Sequence, residues 1–254
     1  MALRPARLIG AASVAAFVIA WQAAASTGLL RADLVSSPVG VISATARLIA
    51  SGELGRNAVV TIEEFVLGFV PSVAVGLVLG IVMGLQRRLR YLLDPLLMAL
   101  YAAPLVALIP ILVIWFGVGE GSKVAVVFLS ALFPVLVNAM AGVEQVEAAW
   151  MRAVRAFGGS ELDVVRKAIL PGALPAFMAG IRLGLGRGII GVIVGEIYVS
   201  VRGIGSLMND YSGAGRTAEL IALVWVTALC GFAGVAAMRW WEERVSAARP
   251  ALEL

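Results

Sequence analysis

Long uncharged stretches dominate the hydrophobic pattern of this chain. Five of them contain no charged residue, namely 8–30, 65–86, 95–119, 124–143 and 221–238. A helix needs about 20 mainly apolar residues to cross a bilayer. A sixth segment, 174–199, is apolar apart from Arg182, Arg187 and Glu196. The pattern predicts about six transmembrane helices, at 8–30, 60–86, 92–118, 124–143, 174–199 and 218–239.

Composition places most of the chain in lipid. Hydrophobic residues make up 61% of the 254 residues and charged residues 14%, whereas soluble domains carry about 25% charged residues. A soluble domain of this length cannot bury so much apolar surface, because the fraction of its surface that folding buries rises only slowly with size. We therefore predict an all-α membrane protein with a single transmembrane domain over 1–254.

The inventory of reactive side chains excludes several classes of enzyme. The chain has no histidine, and Cys230 is its one cysteine. Histidine-based triads, Cys/His pairs and common zinc sites therefore cannot be assembled. No GxxxxGK[ST] phosphate loop occurs, and the nearest string, GVGEGSK at 117–123, lacks the order of that motif. We expect no catalytic residue, metal or cofactor in this chain.

The distribution of Lys and Arg predicts the orientation. Twelve such residues fall in the N-terminus, 87–94, 144–173 and the tail from Arg239, against six in the alternate connections. Short loops rich in Lys and Arg stay in the cytoplasm. Both termini and the loop at 144–173 are therefore predicted to be cytoplasmic.

Two features are predicted for the first outer connection. Ser37 before Pro38 marks a helix start, and Gly52 ends the apolar periodicity that follows. The resulting amphipathic helix lies either on the membrane surface or against its own bundle. Glu63 and Glu64 open the second span and are expected to be a solvated helix end.

The loop at 144–173 is the most informative stretch. Its first part predicts a helix, because Val146, Ala149, Ala153 and Phe157 recur at steps of three or four. The pair Gly158-Gly159 then breaks this helix, since glycine readily takes the left-handed conformation at a helix end.

A second, short helix is predicted after the glycines. Ser160 caps it, with Asp163 at the reciprocal position of a capping box, and Pro171 and Pro175 are expected to stop it. Leu162, Val165 and Ile169 share one side, and Arg166 and Lys167 the other. From spacing alone, docking to a partner and lying on the bilayer surface are equally favoured.

The order of residues in this loop resembles a known motif. Gly158 is followed by 159–167 and then by Ala-Ile-Leu-Pro at 168–171 and Gly-Ala-Leu-Pro at 172–175. This is similar to the cytoplasmic EAA loop of ABC importer permeases. The segments 91–143 and 194–208 look like the nitrate/sulfonate/taurine branch of that family. One departure is Arg152, where the family often has glutamate.

The resemblance implies a type I ABC importer permease with a cytoplasmic coupling helix, in a bacterial inner membrane. It implies three kinds of protein partner: two ATP-binding subunits that hold ATP and Mg, a second permease copy in a homodimer, and a periplasmic or lipid-anchored substrate-binding protein. Membrane lipid surrounds the chain, and no nucleic acid is expected. The substrate would be a small anion such as a sulfonate, taurine or nitrate.

Within the loop the resemblance assigns a coupling helix at Ser160–Arg166. Leu162 and Val165 would fill a groove of the ATPase, and Arg155 and Arg166 would meet its acidic rim. Gly158 and Gly159 would set the angle of the helix. The complete set implied for ATPase docking is Arg155, Gly158, Gly159, Ser160, Glu161, Leu162, Val165 and Arg166.

The fifth span carries a second candidate site. Its glycines at 180, 184, 188, 191 and 195 have the small-xxx-small spacing that lets helices approach closely in lipid. They either contact a second permease or line a gate, or else they pack within one bundle. Arg187 lies deep enough to need a partner or a water-filled path. Glu196 either lines the path or is a satisfied structural carboxylate. The candidate path or dimer-contact set is Gly184, Arg187, Gly188, Gly191, Gly195 and Glu196.

Two other functions compete with the importer. An ion-coupled secondary transporter would need ionisable groups facing one another near the midplane, and Arg187 alone is that deep. A membrane enzyme would need a nucleophile–base pair or a metal constellation, which the residue inventory does not offer. The permease is therefore the leading hypothesis and the secondary transporter its alternative.

Overall fold

The computed structural model describes residues 3–29 and 31–247, and within them it contains helices and no strand. The described parts of 1–60 and 202–229 form one compact unit, and those of 61–201 and 230–254 form another. The helices, in chain order, are α1 (Leu3–Ser26), α2 (Ala32–Val35), α3 (Pro38–Ala50), α4 (Glu53–Leu85), α5 (Arg87–Ala102), α6 (Leu105–Phe116), α7 (Glu120–Gln145), α8 (Ala148–Ala156), α9 (Glu161–Val164), a π-helix (Val165–Ile169), α10 (Leu170–Val199), α11 (Ile204–Gly213) and α12 (Thr217–Ala247).

Several of these helices are long and apolar enough to cross a bilayer. Four qualify in the described residues, at Glu53–Leu85, Glu120–Gln145, Glu161–Val199 and Thr217–Arg244. The pair α5 and α6 makes a fifth if it is one broken span. The helix α1 runs over Leu3–Ser26, and Ala12–Ser26 is its described apolar part. The all-α membrane fold is confirmed, and the span expected at 8–30 stays a prediction.

The third predicted span, 92–118, is not one helix. It is divided between α5 and α6, which meet at an angle of 102°. Ala103 is extended, with φ −63° and ψ 135°, and Pro104 follows it. A proline disfavours the helical conformation of the residue before it and has no N–H to continue the hydrogen-bond ladder. The break therefore follows from the Ala-Pro step inside an otherwise apolar run.

Close packing on α7 organises the unit formed by 61–201 and 230–254. Gly68 and Gly80 of α4 face α7 so closely that an added Cβ on Gly80 would lie 2.5 Å from the Cβ of Ala139. Gly76 and Gly84 of α4 make the same kind of approach. Such glycines permit tight helix pairing where lipid provides no hydrophobic driving force. The sequence pattern of α4 had not singled out these four glycines.

The unit formed by 1–60 and 202–229 contains the predicted amphipathic helix. The Ser37 Oγ accepts a hydrogen bond from the Gly40 N–H at 3.1 Å, and the chain turns at Gly52 with φ +70°. The predicted start and end of α3 are thereby confirmed. In the same unit, the Tyr211 hydroxyl donates to Glu53 Oε2 at 2.9 Å. Burial and the neighbouring carboxylate raise the pKa of Tyr211 to about 12.

Candidate functional site

The predicted helix break at the two glycines is confirmed. The helix α8 ends at Ala156, Gly158 has φ +80°, and the Gly159 N–H donates to the Val154 carbonyl at 3.0 Å. A Cβ on Gly159 would lie 2.7 Å from Val154 Cγ1 and 2.8 Å from its carbonyl oxygen. Position 158 therefore requires glycine because its backbone is left-handed. Position 159 requires glycine because a side chain there would collide with Val154.

The capping box after the glycines is also confirmed. The Asp163 N–H donates to Ser160 Oγ at 3.2 Å, and the Ser160 N–H donates to Asp163 Oδ2 at 3.0 Å. Two N–H groups at the start of α9 that lack a partner in the helix are satisfied in this way. Lys167 approaches the other carboxylate oxygen of Asp163 at 2.8 Å. The short helix is thus fixed by its own side chains.

An ion pair closes the turn between α8 and α9. Arg155 donates from Nε and Nη2 to the two carboxylate oxygens of Glu161, at 2.7 and 2.9 Å. This bidentate hydrogen bond raises the pKa of the Arg155 guanidinium. Both residues belong to the predicted docking set, and in this structure they contact each other across the glycine turn. Arg166 is exposed on the π-helix that follows α9.

The predicted stop at the two prolines is wrong. The helix α9 continues through the π-helix into α10, and the Leu170 N–H donates to the Val165 carbonyl five residues earlier. Pro171 lies in the first turn of α10, where a missing N–H is tolerated. We attribute the continuity to the wider π turn, which relieves the clash between the proline ring and the preceding carbonyl.

One side of the loop is anchored in the core. Val164 and Ile169 are fully buried in a cluster with Val143 at the end of α7 and Phe177 of α10. The apolar face predicted for this helix is therefore divided, because Ile169 points inward while Leu162 is exposed and Val165 is half-buried. Displacement of the loop would be passed directly to α7 and α10.

The opposite side of the loop is exposed and partly apolar. Phe157 is 92% exposed, and Trp150 and Leu162 are also exposed. The inward face of α8 carries Met151 and Val154. Of the predicted series, Val146 is buried in the same cluster, whereas Ala149, Ala153 and Phe157 are exposed. The loop thus presents large apolar side chains beside its glycine turn.

A polar cavity lies next to this loop. It has a volume of 710 Å³ and is lined by Arg87, Arg90, Glu144, Met151 and Arg155, among others. Arg90 forms an ion pair with Glu144. Met151 and Arg155 of α8 line this cavity, so it borders the loop directly.

The glycines of α10 pack within the chain. Gly184 faces Val135 and Ala131 of α7, and Gly188 faces Phe65 of α4. Gly191 packs against Ser130, and Gly195 lies over Lys123. All four are buried, so the alternative of packing within one bundle holds here. Contact with a second permease stays a prediction, and Gly191 also lines a cavity of 630 Å³.

Arg187 differs from the glycines beside it. It is exposed and lines two cavities, of 630 and 400 Å³, which also share Tyr101 and Ile190. Five residues earlier, Arg182 forms an ion pair with Glu242 of α12. The two arginines of the fifth span therefore differ: Arg182 is paired with a carboxylate, whereas Arg187 faces cavities.

A buried polar cluster lies at the end of α7 and α10 that is far from the loop. Glu196 is fully buried and accepts a hydrogen bond from Thr61 Oγ1 at 2.6 Å. Lys123 forms an ion pair with Glu64 and donates to Ser200 Oγ at 3.0 Å. We call these five residues the far-end cluster. Burial and the hydrogen bond from Thr61 favour the alternative of a satisfied structural carboxylate for Glu196.

Two members of the far-end cluster were misjudged or missed in the sequence. Glu64 was expected to be solvated, but its side chain is only 4% exposed. Lys123 was counted as a loop residue, and its position directly before an apolar run was the available signal. Among the residues whose side chains the structure describes, no group of three or more His, Cys, Asp or Glu is placed to hold a metal ion.

Several known proteins are similar to this chain in sequence. A relative from Escherichia coli K12, named as an aliphatic sulfonates transport permease protein, SsuC, is 35% identical and covers 84% of this chain and 81% of its own. The taurine transport system permease protein TauC of the same organism is 30% identical, covering 78% and 69%. The riboflavin transport system permease protein RibX of Chloroflexus aurantiacus is 30% identical, covering 77% and 73%.

The fold is similar to that of a solved ABC transporter chain. A chain of the inward-facing MetNI methionine ABC transporter superposes with a TM-score of 0.61 at 19% identity, covering 74% of this chain and 92% of the other. Residues 73–248 match the family described as the inner membrane component of binding-protein-dependent transport systems. This chain belongs to that family of ABC importer permeases.

Proposed function

We propose that this chain is the membrane-spanning subunit of an ATP-driven importer and that separate ATPase subunits dock on its loop at 144–173. The observation that carries the proposal is the loop itself, a glycine break followed by a capped helix that is buried on one side and exposed on the other. Two ATPase subunits, a second copy of this chain and a substrate-binding protein complete the proposed assembly. ATP and Mg would be bound by the partners.

The packing suggests how work by the ATPase reaches the membrane. Val164 and Ile169 press against the end of α7, and α9 runs without interruption into α10. A force on the exposed side of the loop would therefore tilt α7 and α10 together, since packed interiors transmit displacement with little compression. Closure of the ATPases would drive the switch between inward-facing and outward-facing states.

The loop must face the cytoplasm for this function. Twelve of the Lys and Arg residues outside the fifth span fall on the loop side and six on the other. That bias favours cytoplasmic termini. The far-end cluster would then lie toward the outer surface, where the binding protein delivers substrate.

A small anion of the sulfonate or taurine type is the substrate class we propose. Two of the relatives described above are named for such compounds, and a third is named for riboflavin. Because a separate binding protein selects the substrate in importers of this kind, the permease itself needs only a compatible path. A secondary transporter is disfavoured, because no acidic residue occurs in the apolar middle of any predicted span.

The test is copurification of the ATPase with variants of matched exposure. Phe157 beside the glycine turn and Val201 beyond the far end of α10 are both 92% exposed. We expect Phe157→Glu to reduce the ATPase recovered in mild detergent at least about tenfold, because a charge would enter an apolar contact. Val201→Glu should recover the wild-type amount.

Two results would contradict the proposal. One is a wild-type chain that supports uptake with no ATPase attached. The other is equal loss of ATPase in both variants, which would mean that the loop has no special part in docking.

A further inference from the structure

Arg187 is an exposed charge at membrane depth. It lies 12 residues before the end of α10 at Val199, which corresponds to about 18 Å along the helix. In the part of the chain that the structure describes, its guanidinium makes no hydrogen bond and no ion pair. A charged side chain at this depth is costly against lipid and faces a water-filled space or a partner.

The sequence offers this arginine no carboxylate at the same depth. No Asp or Glu occurs in 65–93, 95–119, 121–143, 164–195 or 220–241, which include the apolar middle of each helix of span length. The next acidic residue along α10 is Glu196, about 14 Å away along the axis and already hydrogen-bonded by Thr61. A second copy of the chain lacks Asp and Glu in the same segments, so a dimer cannot supply the missing negative charge either.

The cavities around Arg187 combine this cation with an apolar wall. The larger one, of 630 Å³, opens beside the break between α5 and α6 and is lined mainly by side chains such as Leu105, Leu129 and Phe133. The Tyr101 ring packs on Phe133 with centroids 5.7 Å apart. Its hydroxyl makes no hydrogen bond among the described residues. The Arg187 guanidinium and the Tyr101 hydroxyl therefore belong to a cavity whose walls are mainly apolar.

Arg182 shows that the arrangement at Arg187 is not general to α10. It lines the smaller cavity as well, but Glu242 neutralises it. Of these two arginines, Arg187 alone has no counter-charge within the described residues.

We propose that Arg187, assisted by Tyr101, is the point in the membrane where a small organic anion with an apolar tail, such as an alkylsulfonate, is held during passage. The proposal rests on the importer function proposed above. Sulfonate oxygens match the paired N–H donors of a guanidinium, and the apolar lining suits the alkyl group. Passage requires that this contact be weak enough to release the anion.

The experiment compares charged thiol reagents at a reporter cysteine. Ile190 lines both cavities, so Ile190→Cys is made in a Cys230→Ala background and the chain is purified in lipid nanodiscs with whatever subunits accompany it. The probes are the anionic 2-sulfonatoethyl and the cationic 2-trimethylammonioethyl methanethiosulfonates. Because both react with the same thiolate, the ratio of their rates cancels any change in thiol ionisation.

We expect Arg187→Gln to lower the anion-to-cation rate ratio about tenfold, since a fixed charge in a cleft concentrates counter-ions by about that factor or more. Arg187→Lys should keep most of the ratio. Ethanesulfonate at millimolar concentration should slow anionic labelling only when Arg187 or its lysine replacement is present. The matched control is the double variant Arg182→Gln, Glu242→Gln, which removes a neutral pair and should leave the ratio unchanged.

Three outcomes would overturn the proposal: an unreactive Ile190→Cys, a ratio insensitive to Arg187→Gln, or an equal fall in the control. The same nanodiscs report separately on the importer function. If no ATPase accompanies the chain, that function fails whatever the labelling ratio. If ATPase is present and the ratio does not respond, only the anion site fails.

Discussion

The two ends of the bundle of α7 and α10 use ion pairs in opposite ways. At the loop, the side chains of Arg155 and Glu161 are 45% and 73% exposed, whereas at the far end those of Lys123 and Glu64 are 6% and 4% exposed. An exposed pair contributes little to stability and can exchange its partner for another protein. A buried pair is costly to break once formed, because one charge is left without compensation.

This contrast assigns different roles to the two ends. The loop keeps its charges at the surface, where the proposed ATPase partner would contact them, while its shape is fixed by glycines and a capping box. The far-end cluster ties α4, α7 and the end of α10 by interactions that solvent cannot replace. We infer that the far end stays rigid while the loop moves.

The largest predicted effect is at the far-end cluster. Lys123→Met leaves the buried carboxylate of Glu64 without its ammonium partner, and we expect a loss of about 3–5 kcal/mol in the free energy of unfolding. Thermal or denaturant unfolding of the detergent-solubilised chain measures it. The control is Lys123→Met with Glu64→Met, which should recover most of the loss. A single variant as stable as the wild type would remove the contrast between the two ends.

A smaller effect is expected at the capping box of the loop. Ser160→Ala removes the acceptor for the Asp163 N–H, and loss of a helix cap of this kind costs about 1 kcal/mol. Hydrogen exchange should accelerate locally at residues 161–164, with no change in α7. Ser160→Thr, which can cap in the same way, should restore protection. Global acceleration would show that the loop does not respond independently.

The smallest effect concerns the ion pair across the glycine turn. Because Arg155 and Glu161 are exposed, Arg155→Ala should leave the unfolding midpoint unchanged within error, and any difference should vanish at high salt. ATPase recovery should nevertheless fall, since a basic group at the proposed docking surface is lost. A clear drop in the midpoint at high salt would mean that the pair is structural, like Lys123 and Glu64.

The parts of this fold that local rules govern were predictable. The left-handed Gly158, the cap at Ser160 and the start of α3 at Ser37 each depend on a few neighbouring residues, and the structure confirms them. The apolar runs likewise predicted the long helices. The continuation of the helix through Pro171 was not foreseen, because a π turn compensates for a proline in a way that no spacing rule records.

Features that depend on contacts between residues far apart in the chain could not be predicted from the sequence pattern. Glu64 and Lys123 are 59 positions apart, and nothing in either neighbourhood reveals that they meet. The α10 glycines had two possible partners, and only the packing on α7 distinguished them. Arg187 was recognised as deep in the membrane, but its difference from Arg182 needed the position of Glu242 on α12.

Photo-crosslinking in native membranes tests whether an ATPase docks on the exposed side of the loop. A benzophenone amino acid placed at Leu162 should give an adduct with the mass of an ATPase subunit, and the same group at Val201 should give none. Absence of that adduct at Leu162, or its appearance at Val201, would contradict the account.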